Sequence, residues 1–226
     1  MMVFFSLGLY VCAVCMLGAA LFVPAWLLYS LRGFLLPIVS PFCVFVWCCL
    51  LAGSYFLFGF ALVLIAGALR KILGLQLTEG EHAVGSPESL RWYTANAIQY
   101  LVSVTFLDFL LLTPFAGLFL RLMGAKVGRN VQVNSKYCAD YSLLEIGDGT
   151  VIGGHATVIG HSFERGKLIL RKVKIGKKVV IGLNSVVLPG AEIGDGAVIA
   201  AGAVLGKDAR VEPGAVYAGV PAVRVR

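Results

Sequence analysis

Charge is scarce in this 226-residue sequence: Asp, Glu, Lys and Arg together make up 14% of it, against roughly 25% in soluble domains. Hydrophobic residues fill 59% and mean hydropathy is +0.88. A wholly water-soluble globule is excluded, and so is a disordered chain, which needs a polar, charged composition. Cysteine outside apolar surroundings is nearly absent. Cys12, Cys15, Cys43, Cys48 and Cys49 lie in apolar stretches, and only Cys138 does not. Cys12 and Cys15 have CxxC spacing, but no second pair or histidine follows them, so all the cysteines read as packing residues and no disulfide framework is implied. The hydrophilic part therefore suits a reducing cytosol.

What charge there is lies late in the chain. Residues 1–123 carry a net +1 and residues 124–226 a net +6. The early part has long runs without any charge. Val3 to Leu28 is one, 26 residues, where roughly 20 suffice to cross a bilayer. A cleaved signal peptide is disfavoured: no basic residue precedes the run, the run is too long, and no small-x-small site follows. Arg32 and Gly33 mark a turn. Phe34 to Leu69 is again uncharged and ends at Arg70 and Lys71, with Pro37 and Pro41 confining the second span to about Val44–Leu69. The two spans form a hairpin whose basic exit favours the cytoplasm.

Ser86-Pro87-Glu88 signals a helix start, with a capping serine, a proline at the first helical position and an acid suited to the helix dipole. The following run from Ala97 to Leu120 contains Gln99, Asp108 and the Thr113-Pro114 break. Charge in mid-bilayer is costly. The reading is a pair of interfacial or re-entrant helices, with a third span as the alternative. Trp92, Tyr93 and Tyr100 suit the head-group level, and Asp108 is expected to pair with a basic residue or line an acceptor path.

The second half repeats every six residues. From Ile175 the steps land on Ile181, Val187, Ile193, Ile199, Leu205, Val211, Tyr217 and Val223, all apolar. Four positions after the large residue stands a compact one: Val179, Ser185, Ala191, Ala197, Ala203, Ala209 and Ala215. Upstream, Val127, Val133 and Ala139 form one phase, and Ile146, Ile152 and Val158 another shifted by one. Ile169 comes eleven positions after Val158, one hexad with a five-residue excess, expected as an extruded loop. Six is not a multiple of 3.6, so an amphipathic helix is excluded. A prism with short flat faces fits, three hexads to a coil and about five coils of parallel β-helix.

These residues resemble the hexapeptide-repeat proteins, whose left-handed β-helix departs from the usual right-handed crossover. The resemblance covers Lys126 to Arg226. Its tail, Ile199-Ala200-Ala201-Gly202-Ala203-Val204-Leu205-Gly206-Lys207-Asp208 and then Ala218-Gly219-Val220-Pro221-Ala222, is similar to the closing segment of the acyltransferases of that superfamily. Leu120 through Gly128 and His161-Ser162-Phe163-Glu164 further resemble the membrane-bound C-terminal region of poly-lysine synthetases. The resemblance implies a homotrimer, acetyl-CoA or another acyl thioester as donor, and acyl transfer to an amine or hydroxyl acceptor. Membrane attachment adds the expectation of a membrane-proximal, lipid-linked or exported acceptor.

The candidate residues divide by role. His161 opens the extruded loop, and the resemblance makes it the general base. Glu164 follows as a residue to orient the imidazole or bind an ammonium group, unless it merely pairs with Arg165 or Lys167. His155, one hexad before His161, is a second candidate base. By the same resemblance Ala201 and Gly206 offer backbone contacts to a pantetheine arm and Lys207 faces the phosphate end. Leu183 stands one coil earlier on that path, and Arg224 lies near a place for a basic phosphate ligand. No metal is expected: zinc hydratase chemistry needs three shared histidines, two of them separated by four residues, whereas His155 and His161 are separated by five and His82 precedes the repeats. The basic run Arg165 to Lys178 fits phosphates or anionic lipid as well as it fits a solvated edge. No aromatic residues interleave it, which speaks against nucleic acid.

The expected whole is a transmembrane helical hairpin (1–72), a linker with interfacial or re-entrant helices (73–123) and a left-handed β-helix (124–226). It would be a multi-pass protein of the cell (inner) membrane with the β-helix on the cytoplasmic side. A non-catalytic trimeric membrane scaffold is the alternative, distinguished by indifference to thioesters.

Overall fold

The computed structural model describes residues 2–35 and 40–226, so the expectation attached to Pro37 lies outside the described residues. Residues 1–69 and 70–226 form two compact units. The first holds α1 (Met2–Leu35) and most of α2 (Pro41–Ile72), 34 and 32 residues long. At 1.5 Å per residue each exceeds the ~30 Å of a hydrocarbon core. Both are apolar enough to cross a membrane, and they are the two such helices among the described residues.

Two expectations are corrected here. The helix α1 runs on through Arg32 and Gly33, which do not form a turn. Pro41 opens α2 and does not shorten it to Val44, because proline is tolerated in a first helical turn and the Ser40 hydroxyl accepts from the Cys43 amide at 3.3 Å. Burial on α1 follows a four-residue step, Met16, Ala20 and Pro24. On α2 it follows Phe58, Leu62, Ala66 and Gly59, Val63, Gly67. Such stripes are what one face of a helix produces.

In the second unit α3 (Pro87–Thr105), α4 (Leu107–Leu110) and α5 (Pro114–Leu122) precede the repeats. Ser86 caps α3 by accepting from the Ser89 amide at 3.2 Å. The apolar run from Ala97 is cut at Phe106 and again at Leu111–Thr113, where Leu112 has φ 60°. None of its pieces is a spanning helix.

The repeats build a prism with three walls of parallel strands. Lys126–Val127, Leu144–Ile146, Val173–Ile175, Glu192–Ile193 and Arg210–Val211 stack as the first wall. Gln132–Val133, Val151–Ile152, Val180–Ile181, Val198–Ile199 and Val216–Ala218 form the second. Thr157–Val158, Val186–Val187 and Val204–Leu205 form the third, which a bridge from Cys138 to Val158 extends. Register keeps like over like: Ile146, Ile175, Ile193 and Val211 are stacked partners, each 4% exposed or less. The compact residues, half-buried Ala209 excepted, sit at buried corners, and glycine serves where coils touch. A Cβ on Gly182 would lie 2.5 Å from the Ala201 amide nitrogen, a backbone atom with no room to yield.

Three positions of the repeat differ from the expectation. Cys138, and not Ala139, occupies the third wall, because the chain shortens that hexad before a 3-10 turn at Tyr141–Leu143. Ile169 is not a prism position: the chain leaves the prism after Gly160, rejoins it at Arg171 with an amide bond to the Gly160 carbonyl (2.8 Å), and resumes the wall at Val173. Val223 closes no coil but folds back antiparallel on Ala218 and is 58% exposed.

Candidate active site

The excess expected as a loop is a β-hairpin. We label Gly80–Ala83 β1, His161–Glu164 β2 and Lys167–Leu170 β3; the last two pair antiparallel around Arg165 and Gly166. Both turn residues have positive φ, 47° and 75°, which matches the twist of a two-residue hairpin. β1 adds an antiparallel strand to β3. Across this sheet Lys167 pairs with Glu81 at 3.1 Å and Lys172 with Glu79 at 3.5 Å, while the Lys172 amide also donates to Glu79.

His161, the first residue of β2, is held by a residue that the repeat pattern did not single out. Asp140 has a left-handed backbone (φ 55°, ψ 43°), which aspartate tolerates better than most residues, and its side chain is fully buried. Trp92 Nε1 donates to Asp140 Oδ1 at 2.6 Å and Asn96 Nδ2 to the same oxygen at 3.1 Å. The Gly160 amide donates to Oδ2 at 2.9 Å, and His161 Nδ1 lies 2.6 Å from Oδ2. Four partners thus fill the acceptor positions of a carboxylate. A carboxylate only accepts, so Nδ1 is the donor in this pair, and Nε2 is the ring nitrogen left for another partner. The ring packs against Trp92 (centroids 4.8 Å apart) and Phe163 (6.2 Å), and the His161 side chain stays 24% exposed.

The helix α3 makes this possible. Trp92, Asn96 and Gln99 share one face at steps of four and three, and Gln99 Nε2 donates to the Cys138 carbonyl at 2.8 Å. The face docks on the stretch where the hexads are interrupted. Trp92 is therefore buried in the site and is not a head-group anchor as the sequence implied.

The other candidates lie on two prism edges either side of the third wall. On the edge shared with the second wall, His155 and Leu183 line a cavity of about 480 Å³ with Asn134, Lys136, Tyr137 and Asp108. His155 lies against Tyr137 with the rings tilted and their centroids 5.7 Å apart, and Lys136 bonds Asp108 at 2.7 Å, giving Asp108 its basic partner. Ala201 belongs to the next turn of that edge, where the Gly202 amide donates to the Leu183 carbonyl. On the edge shared with the first wall, Gly206 and Lys207 approach the hairpin, and Lys207 pairs with Glu164. Glu164 accepts that bond and one from Ser162 (2.9 Å), which together hold its carboxyl below the usual range, Lys207 contributing most. Asp140, and not Glu164, orients the imidazole. Arg224 lies apart on the returning strand of the second wall, bonding Arg226. Of the basic run, Lys167, Arg171, Lys172 and Lys174 meet carboxylates. Among the described residues no three His, Cys, Asp or Glu side chains converge as a metal cluster.

Residues 172–207 match the family model for the bacterial transferase hexapeptide (six repeats). The chain is similar to delta-poly-L-ornithine synthetase of Acinetobacter baumannii (strain AB307-0294), 26% identical over 157 residues, which are 70% of this chain and 12% of that protein. It therefore spans about an eighth of the length of this curated relative. Among solved structures, a hexapeptide-repeat-containing acetyltransferase from Vibrio cholerae O1 biovar eltor, complexed with acetyl coenzyme A, aligns with a TM-score of 0.53 and 20% identity over 68% of this chain and 96% of that one. A maltose O-acetyltransferase from Clostridium difficile 630 aligns with a TM-score of 0.48 and 20% identity over 67% and 94%. The family match covers residues 172–207, and the six-residue period and the three walls of parallel strands around it give the region after residue 125 the β-helix fold that it shares with the Vibrio cholerae structure.

Proposed function

We propose that this chain is a membrane-attached acyltransferase that moves an acyl group from a thioester, acetyl-CoA in the simplest case, to an amine or hydroxyl acceptor. The observation that carries the reading is the pairing of buried Asp140 with His161, which leaves Nε2 for another partner on a ring about a quarter exposed. Nε2 takes the acceptor proton as the acceptor's nitrogen or oxygen attacks the thioester carbonyl. Asp140 supports the imidazolium that results, the C–S bond breaks, and the proton passes to the leaving thiolate. Backbone amides stabilise the tetrahedral oxyanion.

In this reading the prism is a left-handed helix of about five coils that assembles as a homotrimer. The two apolar helices form a membrane hairpin, the β-helix faces the cytoplasm, and the acceptor is a small molecule or is lipid-linked. Ala201, Gly206 and Leu183 offer the donor's pantetheine a path along the edges of the third wall, with His155 at its upper end. Lys207 serves the hairpin through Glu164 and reaches a donor phosphate only by exchanging partners. Arg224 remains the further basic candidate. The fold shared with an acetyltransferase bound to acetyl coenzyme A supports a thioester donor.

Calorimetric titration of the detergent-purified chain with acetyl-CoA and with CoA tests the donor. Saturable binding, with turnover lost in His161→Ala while binding persists, is expected. A stable protein indifferent to both thioesters would refute the CoA assignment and leave a carrier-bound donor or a scaffold.

A further inference from the structure

Large apolar side chains stand in solvent on the helices that precede the prism. Tyr100 is 68% exposed and Val104 55%, one turn apart on α3; Leu112 is 64% exposed, and Leu118 on α5 42%. The opposite faces of the same helices are buried, by Ile98 and Val102 on α3 and by Phe119 and Leu120 on α5. These helices are thus apolar on both sides, and only the inward side is explained by the fold. Soluble surfaces seldom gather so much apolar area without a partner.

Leu112 adds a second observation. Its φ of 60° is a left-handed conformation that a leucine adopts at a cost in backbone strain. The strained turn is fixed by its amide bonding the Val133 carbonyl at 2.9 Å, and it points a leucine outward. A third observation bears on what could cover this face. Arg70, in the last turn of α2, donates to the Leu122 carbonyl at 3.4 Å, and α5 ends at Leu122. The C-terminal end of α5 is therefore fastened to the exit of an apolar helix long enough to cross a bilayer. Leu118 lies one turn, about 6 Å, from that fastening.

We infer that Tyr100, Val104, Leu112 and Leu118 form a membrane-dipping face, with these side chains in the acyl-chain boundary of the bilayer that α2 leaves. A phenol on an apolar ring, as at Tyr100, suits the head-group level, and an amphipathic helix lying in the interface buries its apolar side by this means. This inference rests on the membrane reading of α2.

The test uses the full chain in nanodiscs of phosphatidylethanolamine and phosphatidylglycerol, with the photo-reactive residue p-benzoylphenylalanine placed in turn at four positions. Tyr100 and Leu118 probe the face. Phe45, 65% exposed on α2, reports the span itself, and Val180, 41% exposed on the second prism wall, is the negative control. Lipid adducts at Tyr100 and Leu118 as well as at Phe45, with none at Val180, are expected. Adducts at Phe45 alone, or capture of a second copy of the chain at Tyr100 and Leu118, would overturn the inference and leave the span intact. No adduct at Phe45 would overturn the membrane reading and this inference with it. Lipid capture at Val180 equal to that at Tyr100 would also overturn it, since the face would then be no different from any other surface.

Discussion

At the residue scale the proposed chemistry turns on one carboxylate. Asp140 has no free acceptor position: Trp92 and Asn96 fill one oxygen, Gly160 and His161 the other. Asp140→Asn keeps the volume but faces one pair of donors with an amide NH2. Where that NH2 faces His161, the imidazole meets it only by carrying its proton on Nε2, the nitrogen that the proposed mechanism uses as base. Turnover should fall by about a thousandfold or more, the order found when a carboxylate–histidine pair is so altered, while the Kd for acetyl-CoA stays unchanged; an equal loss of both would place Asp140 in binding. Cys138 makes the opposite point. Its thiol is buried at the top of the third wall, and desolvation pushes its pKa up to about 12. The reactive thiolate is then absent at pH 8. Peptide mapping after iodoacetamide treatment should find Cys138 unmodified in the native protein and modified after unfolding. Modification in the native state at the rate of an unfolded thiol would show that the third wall opens.

At the element scale, the hairpin that bears His161 is an attachment to the prism. Its antiparallel sheet is braced by exposed ion pairs, Glu81–Lys167 and Glu79–Lys172, and by Glu164–Lys207 to the prism edge. The Glu164 carboxyl is held low by Lys207 first and Ser162 second. A depressed carboxyl stabilises above its unfolded value, and that contribution disappears as pH falls through the folded value. As pH falls below the ordinary glutamate range, the hairpin should loosen from Lys207. Hydrogen exchange should then show faster exchange at Phe163–Lys167, with wall amides such as those of Val180–Ile181 still protected. Unchanged exchange at Phe163–Lys167 would mean that the hairpin is bound by packing alone.

The same elements show why some of the structure could be read in the sequence and some could not. The walls were legible because a period of six repeats one local geometry, and each large residue buries against its own copy in the next coil. The hairpin was hidden because its turn, Arg165-Gly166, is a weak hairpin signal and because Ile169 fell by coincidence on the six-residue phase. Asp140 lay where the period breaks, and its partners on α3 are 44 and 48 residues away. Hydropathy alone makes Trp92 an interfacial aromatic. A helix start at Ser86 with polar residues at 92, 96 and 99 on one face was the signal that something polar had to meet them.

For the whole molecule, the question is what holds a prism whose outer surface is so charged. The first wall shows both candidates side by side. Outside, Lys126, Glu145, Lys174, Glu192 and Arg210 alternate in sign down the stack, with Glu192 bonding Lys174 at 2.8 Å and Arg210 at 3.2 Å. Inside, Ile193 lies between Ile175 and Val211. The outer pairs remain in contact with water, where an ion pair contributes up to about 1 kcal/mol and salt screens it. Truncating a buried isoleucine costs about 2–5 kcal/mol, because neighbouring coils are tied by register and close the cavity poorly. Glu192→Gln should therefore move the Tm by no more than a few degrees at low salt and by less at high salt. Ile193→Ala should lower it strongly at every ionic strength. Were Glu192→Gln the more damaging, the prism would be held by its ladder of charges, and the apolar repeat that runs from Ile175 to Tyr217 would set the shape of the coil without supplying most of its stability.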